Sequence, residues 1–211
     1  MGMLPFLPSL DSFRRCIQFT SPSIQSNAAI SFIDFDPNLS KRSFPLFIVM
    51  DSITDSNNVG SILRTSLFFG VEGVIVTEDV LLSPLVSRIS VGAMEICKIL
   101  VTKSLLKLLH SARNNGWKVL GTGIPNSDRG SLNSKDSGWL SITPQTPLIL
   151  EAPTILVLGN ESVGIRDSVL NLCHNLLHLP GAPTVSNHSK SISVDSLNVG
   201  VSVGIILSSI L

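Results

Sequence analysis

Two uninterrupted apolar runs decide what this chain can fold into. Leu46-Phe47-Ile48-Val49-Met50 and Ile155-Leu156-Val157-Leu158 carry no polar residue at either set of alternating positions. A strand with one face in water would alternate. Strands of this kind must be covered on both faces, as in a parallel sheet with helices above and below. The first run stops at Asp51 and opens into the polar stretch Ser52 to Asn57. The second opens into a turn punctuated by Gly159 and Gly164, with Glu161 between them. In an open α/β sheet, ligands bind at the loops beyond the carboxyl ends of the strands. Glu161 is therefore expected at the mouth of a site.

The rest of the chain from Pro45 keeps alternating helix and strand. A helical stripe from Asn58 carries Ile62, Leu63, Leu67 and Phe68 and stops near Gly70. Val74-Ile75-Val76 reads as a strand, 84–94 as a helix, 96–101 as a strand, and 103–115 as a helix closed by Gly116, with Leu105, Leu106, Leu108 and Leu109 inward. Residues 117–120 read as a strand leading into Gly121-Thr122-Gly123. Residues 124–150 read as a long surface loop holding one short strand at Leu148-Ile149-Leu150. A helix over 165–173 follows the Ile155 strand, then a strand over 176–179, a polar loop over 180–195 and an apolar helix over 196–211, with Ser196 its N-cap. The alternation gives an α/β fold with a mostly parallel sheet and helices on both faces. Phe32-Ile33-Asp34-Phe35 is a candidate strand in a segment, 1–44, that otherwise lacks periodicity.

Composition narrows the function classes. Hydrophobic residues make up 44% and charged residues 14%, the balance of a packed domain. Fifteen Lys and Arg offset fifteen Asp and Glu, so nothing pulls the whole chain toward nucleic acid; any RNA binding must come from a local patch. Three scattered cysteines point to a reducing compartment rather than a disulfide framework. No apolar run reaches membrane-spanning length, and no membrane partner is expected. The Ser-rich first thirty residues, with Arg14, Arg15 and a single acid, lean toward a mitochondrial transit segment, with a plain unstructured terminus and a cytoplasmic location as the alternative. Cys173, His174 and His178 lack a cysteine pair or acidic partner at metal spacing, so no metal is expected. The absence of a G-x-S-x-G elbow argues against Ser-His-Asp hydrolysis.

Three stretches could carry chemistry. The first is Asp51 to Thr65, a strand end, a polar loop and a helix start, with Asn58 near the helix N-terminus and Arg64 further in. Free N–H groups at a helix start bind anions, and a guanidinium clamps phosphate through two bonds. Taken singly, the same residues read as a capping Asn and a surface Arg paired with a carboxylate. The second stretch is Gly159-x-Glu161-x-x-Gly164, which alone is a tight turn with an exposed acid. The third is Ser196-Leu197-Asn198-Val199, where small residues after it permit close helix packing.

Together these stretches resemble the SpoU (TrmH-like) branch of the SPOUT RNA methyltransferases. That branch has an Asp-x-x-x-Asp-Pro-x-Asn-x-Gly…Arg-Thr start, a Leu-Gly-x-Glu-x-x-Gly middle and a Ser-Leu-Asn-Val end, and this chain carries all three in that order. The stretch Ser87 to Glu95 is similar to the family's Lys-x-Ser-x-Gly-Ala-x-Glu segment. Asn115 to Thr122 and Gly159-Asn160-Glu161 look most like the mitochondrial rRNA guanosine 2′-O-ribose methyltransferases.

Over residues 45–211 the resemblance implies a SPOUT methyltransferase domain with a deep C-terminal trefoil knot. It also implies a homodimer, S-adenosyl-L-methionine as methyl donor and RNA, above all rRNA, as substrate. A tRNA-directed enzyme and a catalytically weak RNA-binding or ribosome-assembly protein are the alternatives. Asn58, Arg64, Glu161, Ser196 and Asn198 match the family's catalytic positions; Gly159, Leu179, Leu197, Thr122 and Gly123 match its donor contacts. The family gives Arg64's counterpart a role at the ribose hydroxyl. A guanidinium rarely gives up its proton, which makes phosphate clamping the more defensible part. Residues 1–44 would then be a stub or linker, either a transit segment or the remnant of an RNA-recognition domain. Ser56 stands where the family has Pro, Arg88 where Lys is usual, and Gly200 and Ser202 where Ser and Ala are usual. On helix propensity alone, Gly200 should weaken the last helix by about 1 kcal/mol relative to Ala.

Overall fold

The computed structural model describes residues 17–19, 44–124, 138–143, 148–181 and 196–210. Eight strands form one sheet: β1 (Ile17–Phe19), β2 (Leu46–Met50), β3 (Gly73–Thr77), β4 (Ile99–Thr102), β5 (Lys118–Thr122), β6 (Trp139–Ser141), β7 (Thr154–Leu158) and β8 (Asn175–His178). Their order is β1-β4-β3-β2-β7-β5-β8-β6. Every pairing from β4 to β6 is parallel, while β1 runs antiparallel to β4 along one edge. The helices are α1 (Ser56–Phe68), α2 (Pro84–Ile89), α3 (Ala93–Ile96), α4 (Leu105–Asn114), α5 (Asp167–Leu170) and α6 (Val199–Ile210).

The two apolar runs become neighbours at the centre, paired from Leu46↔Thr154 to Met50↔Leu158 and wholly buried. Alternate residues feed opposite cores. Leu46, Ile48 and Met50 pack with Val59, Ile62 and Leu63 of α1 and with Val203, Ile206 and Leu207 of α6. Phe47, Val49, Ile155 and Val157 pack with Leu105, Leu108, Leu109 and Ala112 of α4 and with Val169 of α5. The α/β sandwich expected from unalternating strands is the one observed.

Several local readings need correction. The helix expected over 84–94 breaks in the middle, because Val91 and Gly92 take positive φ values of 55° and 82°. Ser90 drives the break: its hydroxyl donates to the Ser87 carbonyl and accepts the Met94 N–H, replacing helical bonds with a local turn. The expected strand over 96–101 starts only at Ile99, since Ile96 belongs to α3. Leu106 faces outward, 36% exposed. The short strand of the long loop is Trp139–Ser141, not Leu148–Leu150. The helix expected over 165–173 holds only at Asp167–Leu170. The expected strand at Phe32–Phe35 lies outside the described residues, as do residues 182–195 of the expected polar loop. Among the described residues, no helix is long and apolar enough to cross a membrane.

The start of the last helix reading also moves. α6 begins at Val199. Asn198, not Ser196, caps it, its side-chain oxygen accepting the N–H groups of Gly200 and Val201 at 2.9 and 3.4 Å. Gly200 has a packing reason that helix propensity does not see. A Cβ there would stand 2.6 Å from Ser61 Oγ and 3.0 Å from Ser61 Cβ, where α6 crosses α1. Gly200→Ala should therefore lower the thermal midpoint, costing about 1–3 kcal/mol by overpacking, where propensity alone predicts a gain; calorimetric or denaturant unfolding decides the sign.

Where β5 and β8 begin, His174 Nδ1 accepts the Val119 N–H at 2.9 Å, and the His174 backbone N–H donates to the Val119 carbonyl at 2.7 Å. Accepting requires a bare Nδ1. Burial holds the imidazole below its ordinary pKa, and the charges of Arg113 and Lys118 add to this. A depressed folded-state value means the unfolded chain takes up the proton first as pH falls. The stability from neutral His174 is complete above the unfolded value of about 6.5 and drains as pH drops from there toward the folded value. Thermal unfolding should show a loss of stability from pH 7 downward that is shallower in His174→Gln.

Candidate active site

The strand order reverses direction between β2 and β7. From β2 the chain builds outward through β3 to β4, then resumes on the far side with β5, β8 and β6. The carboxyl ends flanking such a switch point leave a crevice for a ligand. The loop after β2 leads into α1, and the loop after β7 carries Glu161.

Asp55 starts α1, its carboxylate accepting the Asn57 N–H at 2.7 Å. This relieves Asn58 of the capping role that the sequence alone allowed it. Asn58 lies inside the first turn, 5% exposed. Its side-chain amide donates to Glu161 Oε1, and its Oδ1 accepts from Asn198 Nδ2 at 2.7 Å. The orientation follows from chemistry. A carboxylate only accepts, so Asn58 must turn its NH2 toward Glu161 and its oxygen toward Asn198. Asn198 must then donate its own NH2, which leaves its oxygen for the free N–H groups of α6. One consistent relay joins three sequence-distant motifs, over separations of 103 and 140 residues.

Two further residues hold the loops in place. Asp51, 1% exposed, receives Arg166 through two bonds, Nη2 to Oδ1 at 2.6 Å and Nε to Oδ2 at 3.2 Å. The Asn160 amide donates to the Ser52 carbonyl at 2.9 Å, while its oxygen accepts the Ser162 N–H at 2.8 Å. Ser52 sits at φ 58°, with its N–H held by Thr77 Oγ1. Beside it, burial pushes the Asp79 carboxyl up, but hydrogen bonds from Thr77 and Ser52 and the charge of Arg166 outweigh this and hold it below its ordinary value. Sequence reasoning took Asp51 as a strand end, quoted Asn160 without giving it a role and passed over Arg166. The one signal was a charged residue, Asp51, directly continuing a wholly apolar strand, which buries a charge that must find a partner.

Arg64 is not part of the relay. Six residues past Asn58 it sits about 9 Å along the helix and roughly 240° around it. Its side chain is exposed and lines an open groove of about 540 Å³ with Leu67, Phe68, Val91, Ala93 and Gly204. Ser196 and Leu197 are exposed at the entry to α6.

The remaining donor-contact positions share one edge. Gly159 follows β7, Thr122 and Gly123 end β5, and Leu179 follows β8; these three strands are consecutive, parallel and in register. Gly159 has a reason of its own to lack a side chain: a Cβ would run into the Gly164 carbonyl carbon and the Ile165 nitrogen of its own loop. Thr122 Oγ1 donates to the Val157 carbonyl at 3.3 Å, and the Gly123 N–H to the Leu177 carbonyl at 3.1 Å. The edge is thus bare main chain around two glycines, which suits a donor with a flat base and many hydrogen-bonding groups. Burial pushes the Cys173 thiol up to about 12, away from the thiolate form that reacts. Among the described residues no cluster of His, Cys, Asp and Glu is placed to hold a metal.

Known proteins resemble this chain over most of its length. A profile of the SpoU rRNA Methylase family matches residues 45–208. The chain is 35% identical over 168 residues to human "rRNA methyltransferase 1, mitochondrial", covering 78% of this chain and 45% of that one. It is 34% identical over 175 residues to the protein of the same name from Dictyostelium discoideum, covering 82% and 30%. Against the Pseudomonas aeruginosa "23S rRNA (guanosine-2'-O-)-methyltransferase RlmB", identity is 32% over 169 residues, covering 79% and 58%. The chain thus spans from under a third to somewhat over half of these relatives' length. A solved TrmH-family structure from Porphyromonas gingivalis superposes with TM-score 0.60 at 29% identity, covering 79% of this chain and 59% of that one.

The relay generates a graded expectation. Asn58→Ala should cost about 1–3 kcal/mol, because it removes both hydrogen bonds of a buried amide and frees the Glu161 loop. Asn58→Asp should cost more, since a carboxylate cannot donate to Glu161 and repels it. Unfolding midpoints of the two variants, compared with the parent, check the order.

Proposed function

The chain belongs to the SpoU rRNA methylase family, and from that premise we propose that it transfers a methyl group from S-adenosylmethionine to a ribose 2′-hydroxyl of RNA, specifically a guanosine of mitochondrial large-subunit rRNA. The observation that carries this reading is the closure of the first, middle and last motifs on one hydrogen-bonded relay at the strand-order switch point. The curated relatives named above supply the substrate class and the compartment.

When bound, S-adenosylmethionine supplies a methyl group activated on a positively charged sulfur. The chain's own residues supply position. Bare main chain at Thr122, Gly123, Gly159, Leu179 and Leu197 holds the donor. Asn58, Glu161 and Asn198 fix the α1 and α6 entries on either side of it. Arg64 clamps the phosphate beside the target ribose through two bonds, aligning the 2′-oxygen with the methyl. Because Arg64 points away from the relay of its own chain, this role calls for a homodimer in which Arg64 of one copy serves the site of the other. The exposed apolar residues around it, Phe68 at 82% and Val91 at 68%, together with Val201 and Ile205 of α6, give that dimer a surface to bury. A C-terminal trefoil knot belongs to the same reading.

The test is direct. The purified chain, given labelled donor and mitochondrial RNA, should place label on a ribose of large-subunit rRNA when 2′-O-methyl sites are mapped. Arg64→Ala should lose about 10²–10³-fold in rate with an unchanged thermal midpoint, since the side chain is exposed. Undiminished methylation by Arg64→Ala would remove the role assigned to it, and label confined to tRNA would remove the rRNA assignment.

A further inference from the structure

The edge strand β6 brings an aromatic ring to the donor edge that no motif marks. Trp139 pairs in register with Leu176 of β8. Its ring crosses to Gly123, where a Cβ would stand 3.2 Å from the ring's outer carbon. The His178 ring meets it edge to face at 6.4 Å. Even so, Trp139 remains 40% exposed, whereas the chain's other tryptophan, Trp117, is 5% exposed in the core against Phe47. A large aromatic ring left open beside a bare glycine is a surface for a second flat ring.

The layout says which ring. The ribose that accepts the methyl must lie on the β2 side, where α1 and the Asn58–Glu161 relay stand. The methyl end of the donor must therefore point toward β2 and β7. Its other end then runs outward along β5 and β8 to β6, three strand spacings beyond β7, or about 14 Å. The donor's sulfur carries two arms besides the methyl, an amino-acid chain and an adenosine, and of these only the adenosine ends in a flat ring that the exposed Trp139 indole can stack on. We propose that Trp139 is the stacking wall for the adenine ring of the donor, with Gly123 kept bare because the edge of the indole takes the space a side chain would fill. The inference rests on the donor-binding reading given above.

The chain has two tryptophans and no tyrosine, so its emission reports on Trp139 against a buried background. Titration of the full chain with S-adenosylhomocysteine should quench the exposed component, adenosine alone should do the same, and methionine should not. In Trp139→Phe the quench should vanish, while calorimetric affinity for S-adenosylhomocysteine falls no more than about threefold, because a ring remains. In Trp139→Ala the affinity should fall about tenfold, by the same factor for adenosine.

Calorimetric binding of S-adenosylhomocysteine without a quench, or a quench that persists in Trp139→Phe, overturns the wall while leaving donor binding intact. So does quenching by a guanosine-containing oligonucleotide but not by S-adenosylhomocysteine, which would make the indole an RNA contact. No binding of S-adenosylhomocysteine at all overturns this inference together with the donor-binding reading. Should Trp139→Ala fail to fold, the Trp139→Phe titration decides alone.

Discussion

Everything at the functional edge depends on the single amide of Asn58. It is buried, it has one donor side and one acceptor side, and both are used across the fold. A carboxylate could not replace it, because Glu161 needs a donor on one side while Asn198 must be met by an acceptor on the other. The directional chain then runs out at the α6 N-terminus, whose free N–H groups accept no other arrangement. A two-faced group of this kind is worth little in net energy when satisfied. Its effect is therefore on uniqueness: the loop after β7 and the start of α6 must both be in place before either is.

Asp51 and Arg166 do the complementary work at the strand end. Asp51 continues β2 and donates its N–H to the Leu158 carbonyl, so the two central strands stay locked one residue past their named ends. Its carboxylate is nearly fully buried, which is tolerable only because a bidentate guanidinium meets it. That guanidinium is half exposed, so only one side of the pair pays full desolvation. With Asn160 reaching back to Ser52, the loop holding Glu161 is tied at both its start and its end. The relay and the ion pair thus fix the same loop through different chemistry.

The central architecture was legible because strands buried on both faces leave no choice of period: β2 and β7 read correctly from unbroken apolar runs. Local structure failed where a side chain competes with the backbone. The Ser90 hydroxyl splits an apparent helix in two, and a small hydroxylic residue inside an apolar stripe gives no warning of which bond it will take. Asp55 and Asn198 took the caps that Asn58 and Ser196 were expected to hold. Capping residues cluster at helix starts, so the sequence narrows the cap to a few positions, and only the loop geometry selects among them. Asn58, Glu161 and Asn198 were found as motif positions, but their mutual bonding was invisible, since contacts over a hundred residues apart carry no periodic signal.

Glycine shows the same limit most clearly. Gly159 and Gly200 look alike in sequence, each a small residue beside a motif. At 159 the chain's own turn fills the space that a side chain would occupy, so the residue serves the loop first. At 200 the constraint is Ser61 on a neighbouring helix, and what helix propensity counts as a defect is the condition for α6 to approach α1. That approach sets where Asn198 stands, and so whether its amide can reach Asn58. The small residue and the relay are one design: the helices must touch closely for three separated motifs to share a hydrogen bond.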